Sequence, residues 1–82
     1  MRLLLEDFSA AAGHTVDCRL IVGAATVAAT SFRDEVVDGR SLWREFRFAL
    51  GANTGAYRIR IDGAGVTGAN PWHVAERYDL AL

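Results

Sequence analysis

Eighty-two residues carry nine cationic and ten anionic side chains, for a formal net charge of -1. A chain of that length makes one domain, residues 1–82, with a thin core, and its near-neutral charge excludes the strong positive field that draws proteins to nucleic acid or anionic membranes. A single cysteine, Cys18, excludes an internal disulfide.

Every cation other than histidine is arginine, which follows either from GC-rich coding or from contacts that need a guanidinium. The apolar share of 51% is inflated by alanine, which adds little burial.

Residues 2–8 open with Leu3, Leu4 and Leu5 in a row. Such a run predicts a strand buried on both faces, or one that starts with a bulge. Residues 9–13 are small and end in glycine, so they predict a connection with a short helical turn through Ala10, Ala11 and Ala12. Residues 15–22 alternate cleanly, with Val16, Cys18, Leu20 and Val22 on one side, which is the signature of a half-buried strand. Cys18 then sits on the core side as a small apolar residue. After a break at Gly23, residues 26–32 resume as the second arm of a hairpin. Residues 34–40 are charged, and Asp38-Gly39 is a turn signal.

Residues 42–50 and 56–62 predict a second hairpin around a turn at residues 51–54. Phe48 would face Tyr57, and Phe46 would face Ile59. On the other side Arg47 would lie opposite Arg58, Glu45 opposite Arg60, and Trp43 opposite Asp62. A rival reading makes residues 41–50 a helix capped by Ser41 and Gly51. Residues 63–70 hold three glycines and predict a loop or weak edge strand. Residues 72–82 predict a strand with Trp72, Val74, Tyr78, Leu80 and Leu82 on one face. Asn70-Pro71 would also start a helix there. Both ends run straight into apolar segments, so the terminal strands are expected to be paired.

These elements predict an all-β fold: a small antiparallel β-sandwich or partly closed barrel of five to seven short strands. The alternative is α+β, with one helix at residues 41–50 or 71–82. The stretch from Gly55 through Tyr57, Ile59 and Ile61 resembles the Gly-x-Tyr-x-apolar-x-apolar strand of many β-sandwich modules, carbohydrate-binding ones among them. It spans a small part of the chain and assigns no family.

The hairpin face carrying Trp43, Arg47, Arg58 and Arg60 is the first candidate site. Two facing arginines call for an anion or a nearby carboxylate, and a tryptophan beside them can stack. The plain alternative is a solvated sheet face. Trp72 and His73, after Pro71, are the second candidate: either a sugar-stacking pair or a lid on the core. His14, Asp17 and Cys18 match no zinc spacing, so no metal site, cofactor or catalytic set is expected. Residues 63–68 match G-x-G-x-x-G in letters only, because no βαβ unit fits around them.

The expectation is therefore a non-catalytic structural or assembly subunit, self-associating or joining another protein through sheet edges or the Arg/Trp face. Two alternatives stand beside it: a carbohydrate-binding module using exposed Trp and Tyr, and a partner-specific inhibitor or immunity-type protein. Nucleic acid and membrane are disfavoured as partners. Residues 1–8 lack a signal-peptide core, so a cytoplasmic location is the default expectation.

Overall fold

The computed structural model describes residues 1–53, 55–68 and 70–79. Its strands are β1 (Arg2–Glu6), β2 (Thr15–Val22), β3 (Ala25–Ala28), β4 (Ser31–Val36), β5 (Ser41–Arg47), β6 (Tyr57–Ala64) and β7 (His73–Tyr78). They form two antiparallel sheets, ordered β4-β5-β1-β7 and β3-β2-β6, stacked as a small all-β sandwich. Residues 41–47 and 73–78 are strands, so the α+β alternative does not hold. Among the described residues no helix is long and apolar enough to cross a membrane.

The expected hairpin between residues 42–50 and 56–62 does not form. Both segments are strands, but β5 pairs with β1 and β4, whereas β6 pairs with β2. None of the facing pairs Arg47/Arg58, Glu45/Arg60 or Trp43/Asp62 exists: Arg47 lies opposite Ser31, Arg60 opposite Arg19, and Asp62 opposite Asp17. The physical reason is specific. Alternation dictates which face a strand buries, not which strand lies beside it. Phe46 and Ile59 still share the core, contributed by opposite layers rather than by one sheet. Strand β6 sorts equally well against β2, with Cys18 opposite Ile61 and Leu20 opposite Ile59. The proposed turn at residues 51–54 extends to Thr54, which lies outside the described residues.

The other hairpins are closer to expectation. Strand β2 turns into β3 through Gly23, at φ 60°. The arm stops at Ala28 rather than running on to residue 32, and β4 crosses to the other sheet. Strands β4 and β5 form a hairpin over the Asp38-Gly39 signal. There the Asp38 carboxylate accepts from the backbone N–H groups of Arg40 (2.7 Å) and Ser41 (2.8 Å), satisfying the turn. The turn through Ala10–Ala12 is a 3₁₀ helix, capped by Ser9 and closed by Gly13 at φ 83°.

Strand β1 is central. Leu3 and Leu5 are wholly buried, whereas Leu4 sits half-buried on the outer face opposite Trp43. The run of three leucines thus seals one face, and its register against β7 shifts between Leu4 and Leu5. That shift explains a second departure. Val74 faces the core opposite Leu5, but beyond the bulge Tyr78 pairs with Arg2 on the outer side. Tyr78 therefore leaves the face it was expected to share with Trp72 and Val74. The expected placements of Leu80 and Leu82 lie outside the described residues.

The core joins Met1, Leu3, Leu5, Val16, Cys18, Phe46 and Trp72. It ends at β4, where all six residues are exposed. Phe32 and Val36 lie opposite Phe46 and Leu42, on the core side of the sheet, yet are 55% and 73% exposed. One strand of the four-stranded layer has no cover in the three-stranded layer. The radius of gyration is 13.4 Å, with extents of 40 × 23 × 18 Å, against about 12 Å for a compact chain of this length.

Cys18 is fully buried, and desolvation pushes its thiol from an ordinary 9.0 up to about 11, with Asp17 adding to the rise. A thiol reagent is expected to leave the folded protein unlabelled at pH 8 and to react once it is unfolded. Between pH 9 and 11 the unfolded chain loses a proton that the folded chain keeps. Stability should therefore fall across that window, more steeply than in Cys18→Ala. Rapid labelling of the folded protein would contradict this burial.

Candidate functional site

The outer face of the four-stranded sheet carries the side chains that alternate with the core. Trp43, from β5, lies opposite Leu4 of β1, and Tyr78 of β7 lies opposite Arg2. Central β1 thus places Arg2 between two aromatic residues. Its guanidinium stands 4.6 Å from the Trp43 ring centre, a cation–π contact, and the Trp43 and Tyr78 rings lie 5.7 Å apart at 41°. Beside them a groove of about 640 Å³ is bordered by Arg2, Trp43, Glu45 and Tyr78. It offers a flat apolar ring edged by the Arg2 cation and the carboxylates of Glu45 and Asp79, chemistry that suits a sugar or a planar side chain. Arg47 is on this face, 3.7 Å from Glu45, and Glu35 reaches Arg2 at 3.9 Å. Both are exposed ion pairs that contribute little stability.

Arg58 and Arg60 are elsewhere, on the outer face of the three-stranded sheet. The expected single platform of Trp43, Arg47, Arg58 and Arg60 is divided between opposite sides of the sandwich, for the same reason that the hairpin is absent. Arg60 does lie opposite a like charge, Arg19, and Asp17 lies opposite Asp62. Each repulsion is quenched along its own strand: Arg60 binds Asp62 at 2.9 Å, and Arg19 binds Asp17 at 3.1 Å. This face carries no unmet demand for an anion from those pairs.

Trp72 is 3% exposed. Its indole N–H donates to the Ala64 carbonyl at 2.6 Å, and its ring meets Phe8 edge-on at 5.2 Å. Gly63 makes room for it, since a Cβ there would collide with the indole and lie 2.7 Å from the Thr15 carbonyl oxygen. Of the two readings of Trp72, the lid on the core fits this burial, and a sugar-stacking surface does not. His73 is exposed, with Nε2 3.5 Å from the Glu6 carboxylate. It borders a second groove, of about 610 Å³, shared with Asp7, Phe8, Arg40 and Pro71. There Arg40 grips Asp7 with two hydrogen bonds, of 2.9 and 3.2 Å, and holds its carboxyl below the ordinary value.

His14 is buried beneath Gly65, and its Nδ1 accepts from the Ser9 backbone N–H at 3.0 Å. It packs beside Phe8, with ring centres 5.9 Å apart, and is buried where His73 is exposed. Among the described residues no three His, Cys, Asp or Glu side chains gather as a metal site would require.

Arg44 is the residue that alternation left unflagged. It shares the core face of β5 with Leu42 and Phe46 and is 7% exposed. Asp34, directly opposite on β4, accepts its Nε and Nη2 hydrogens at 2.7 and 2.8 Å. The guanidinium lies 4.0 Å from the centre of the Phe32 ring and 4.9 Å from that of Phe8. A signal was present: a lone arginine between Leu42 and Phe46 at strand spacing, ten residues from an aspartate across a turn. Arg2 was equally hidden, because its contacts depend on β1 pairing with strands far away in sequence.

No family model matches the chain, and neither a curated protein nor a solved structure gives a match.

Proposed function

We propose that this chain is a non-catalytic structural or assembly subunit that joins a protein partner through its sheet surfaces. The observation that carries the reading is the bare inner flank of β4. Phe32 and Val36 stand on the core side of the sheet and are mostly exposed. Covering a side chain of this kind favours association by roughly 1.5–3 kcal/mol when the burial is complete. An exposed apolar patch bounded by charged groups is the usual mark of an interface. A partner-specific inhibitor would use the same flank, with an enzyme as the partner.

The test is association. Light scattering or native mass spectrometry should find species heavier than one chain at micromolar concentration, and the double variant F32S/V36S should release them without loss of β-sheet circular dichroism. A sharp monomer at high micromolar concentration that also captures no partner argues against the reading.

A second reading has its own observation, the Arg2–Trp43–Tyr78 cluster beside its groove. A carbohydrate-binding module would stack a sugar on Trp43. Titration with a panel of sugars should then shift the tryptophan fluorescence of the native protein and leave W43F unchanged. Silence across the panel removes this reading.

A further inference from the structure

We propose that the partner at β4 is a second copy of this chain, joined edge to edge in one antiparallel register centred on Asp34. The inference rests on the assembly reading above and names its occupant.

Strand β4 ends its sheet, and within the described residues it is paired on one side only, to β5. Backbone groups in an antiparallel ladder point alternately to either side. Val37 donates its N–H to the Ser41 carbonyl at 3.0 Å, which turns the odd-numbered residues of β4 toward β5. The backbone N–H and C=O groups of Phe32, Asp34 and Val36 then face the open edge.

The side chains of β4 are self-complementary about Asp34. Suppose a second β4 runs antiparallel along this edge, core side matched to core side. With Asp34 opposite its own copy, Phe32 meets Val36 of the second copy and Arg33 meets its Glu35. Two-fold symmetry makes each contact twice. The apolar pairs lie on the core side and the ion pairs on the outer side. Neighbouring registers that keep the faces matched fail. One sets Arg33 against Arg33 and Phe32 against Asp34. The other sets Glu35 against Glu35 and Val36 against Asp34. Like charges facing each other across a ladder are unfavourable.

The axis itself would bring Asp34 to Asp34. That contact is tolerable because each carboxylate is already held bidentately by its own Arg44, at 2.7 and 2.8 Å. Two closed ion pairs meet, not two bare anions. Glu35 is available as well, since its present contact with Arg2 is long, 3.9 Å, and exposed. Charges at the middle of an edge strand ordinarily deter pairing with other chains. Here the same charges repel a shifted or foreign strand and select the second copy. The product is a continuous eight-stranded sheet, with order β7-β1-β5-β4 in each half.

Charge reversal in the full chain tests the register. Native protein should sediment as a dimer. R33E makes the edge doubly acidic and E35R makes it doubly basic, so each alone should dimerise at least tenfold more weakly, by roughly 1.4 kcal/mol or more. Mixing the two should restore dimers containing one of each. The double swap R33E/E35R should restore the homodimer. Rescue on mixing also shows that both single variants are folded. If every variant dimerises as tightly as the native chain and mixing changes nothing, the register is wrong while the assembly reading survives. A native chain that stays monomeric at high micromolar concentration overturns the self-pairing, and the assembly reading survives only if that chain captures another protein.

Discussion

The ion pair between Arg44 and Asp34 decides where the core of this protein ends. A guanidinium on the core face of a sheet must be neutralised and hydrogen-bonded, because burial strips it of water. Asp34 does this from the neighbouring strand, with both contacts under 3 Å, and Phe32 and Phe8 cover the faces of the cation. The pair fastens β4 to β5. It also makes the flank costly to seal beneath an all-apolar layer. The three-stranded sheet covers Leu3, Leu5 and Phe46, and beyond Arg44 the inner face of β4 stays open. The open inner flank of β4 thus begins at this polar pair, on a strand that ends its sheet.

The two outer faces differ in kind. On the three-stranded sheet, cross-strand charges of like sign are answered by carboxylates and guanidinia two residues away on the same strand, so that face is electrostatically closed at Asp17, Arg19, Arg60 and Asp62. On the four-stranded sheet, Arg2 lies over Trp43 with Tyr78 alongside, and the rings border a groove. The opposite edge of that sheet is β4. One sheet thus holds both the aromatic groove and the open edge of β4.

Much of the fold was legible because burial of one face imposes alternation. Val16, Cys18 and Leu20 mark β2 without ambiguity, Asp38-Gly39 marks the β4–β5 turn, and an all-β class of five to seven short strands follows from such runs, of which seven form. Partner choice was not legible. Phe46 and Ile59 satisfy the same patterning whether their strands lie side by side or stack across the core, and the chain takes the second arrangement. The candidate site suffered from the same degeneracy. Trp43 and Arg47 share the outer face of β5 because alternation requires it, but Arg58 and Arg60 belong to a strand of the other sheet, which alternation does not reveal. Tyr78 joined Trp43 only through a bulge that reversed its side, which no two-residue period contains.

Whether Arg44 and Asp34 act as one unit at the limit of the core is most directly tested by a double-mutant cycle. Arg44→Met, Asp34→Ala and the double variant would be compared by urea unfolding at pH 7. Asp34→Ala strands a buried cation and should cost about 2–4 kcal/mol, and the double variant should recover much of that, for a coupling of roughly 1–3 kcal/mol. Additive losses, with no coupling, would mean that each residue is merely solvated at the surface, and the account of the open flank would fail.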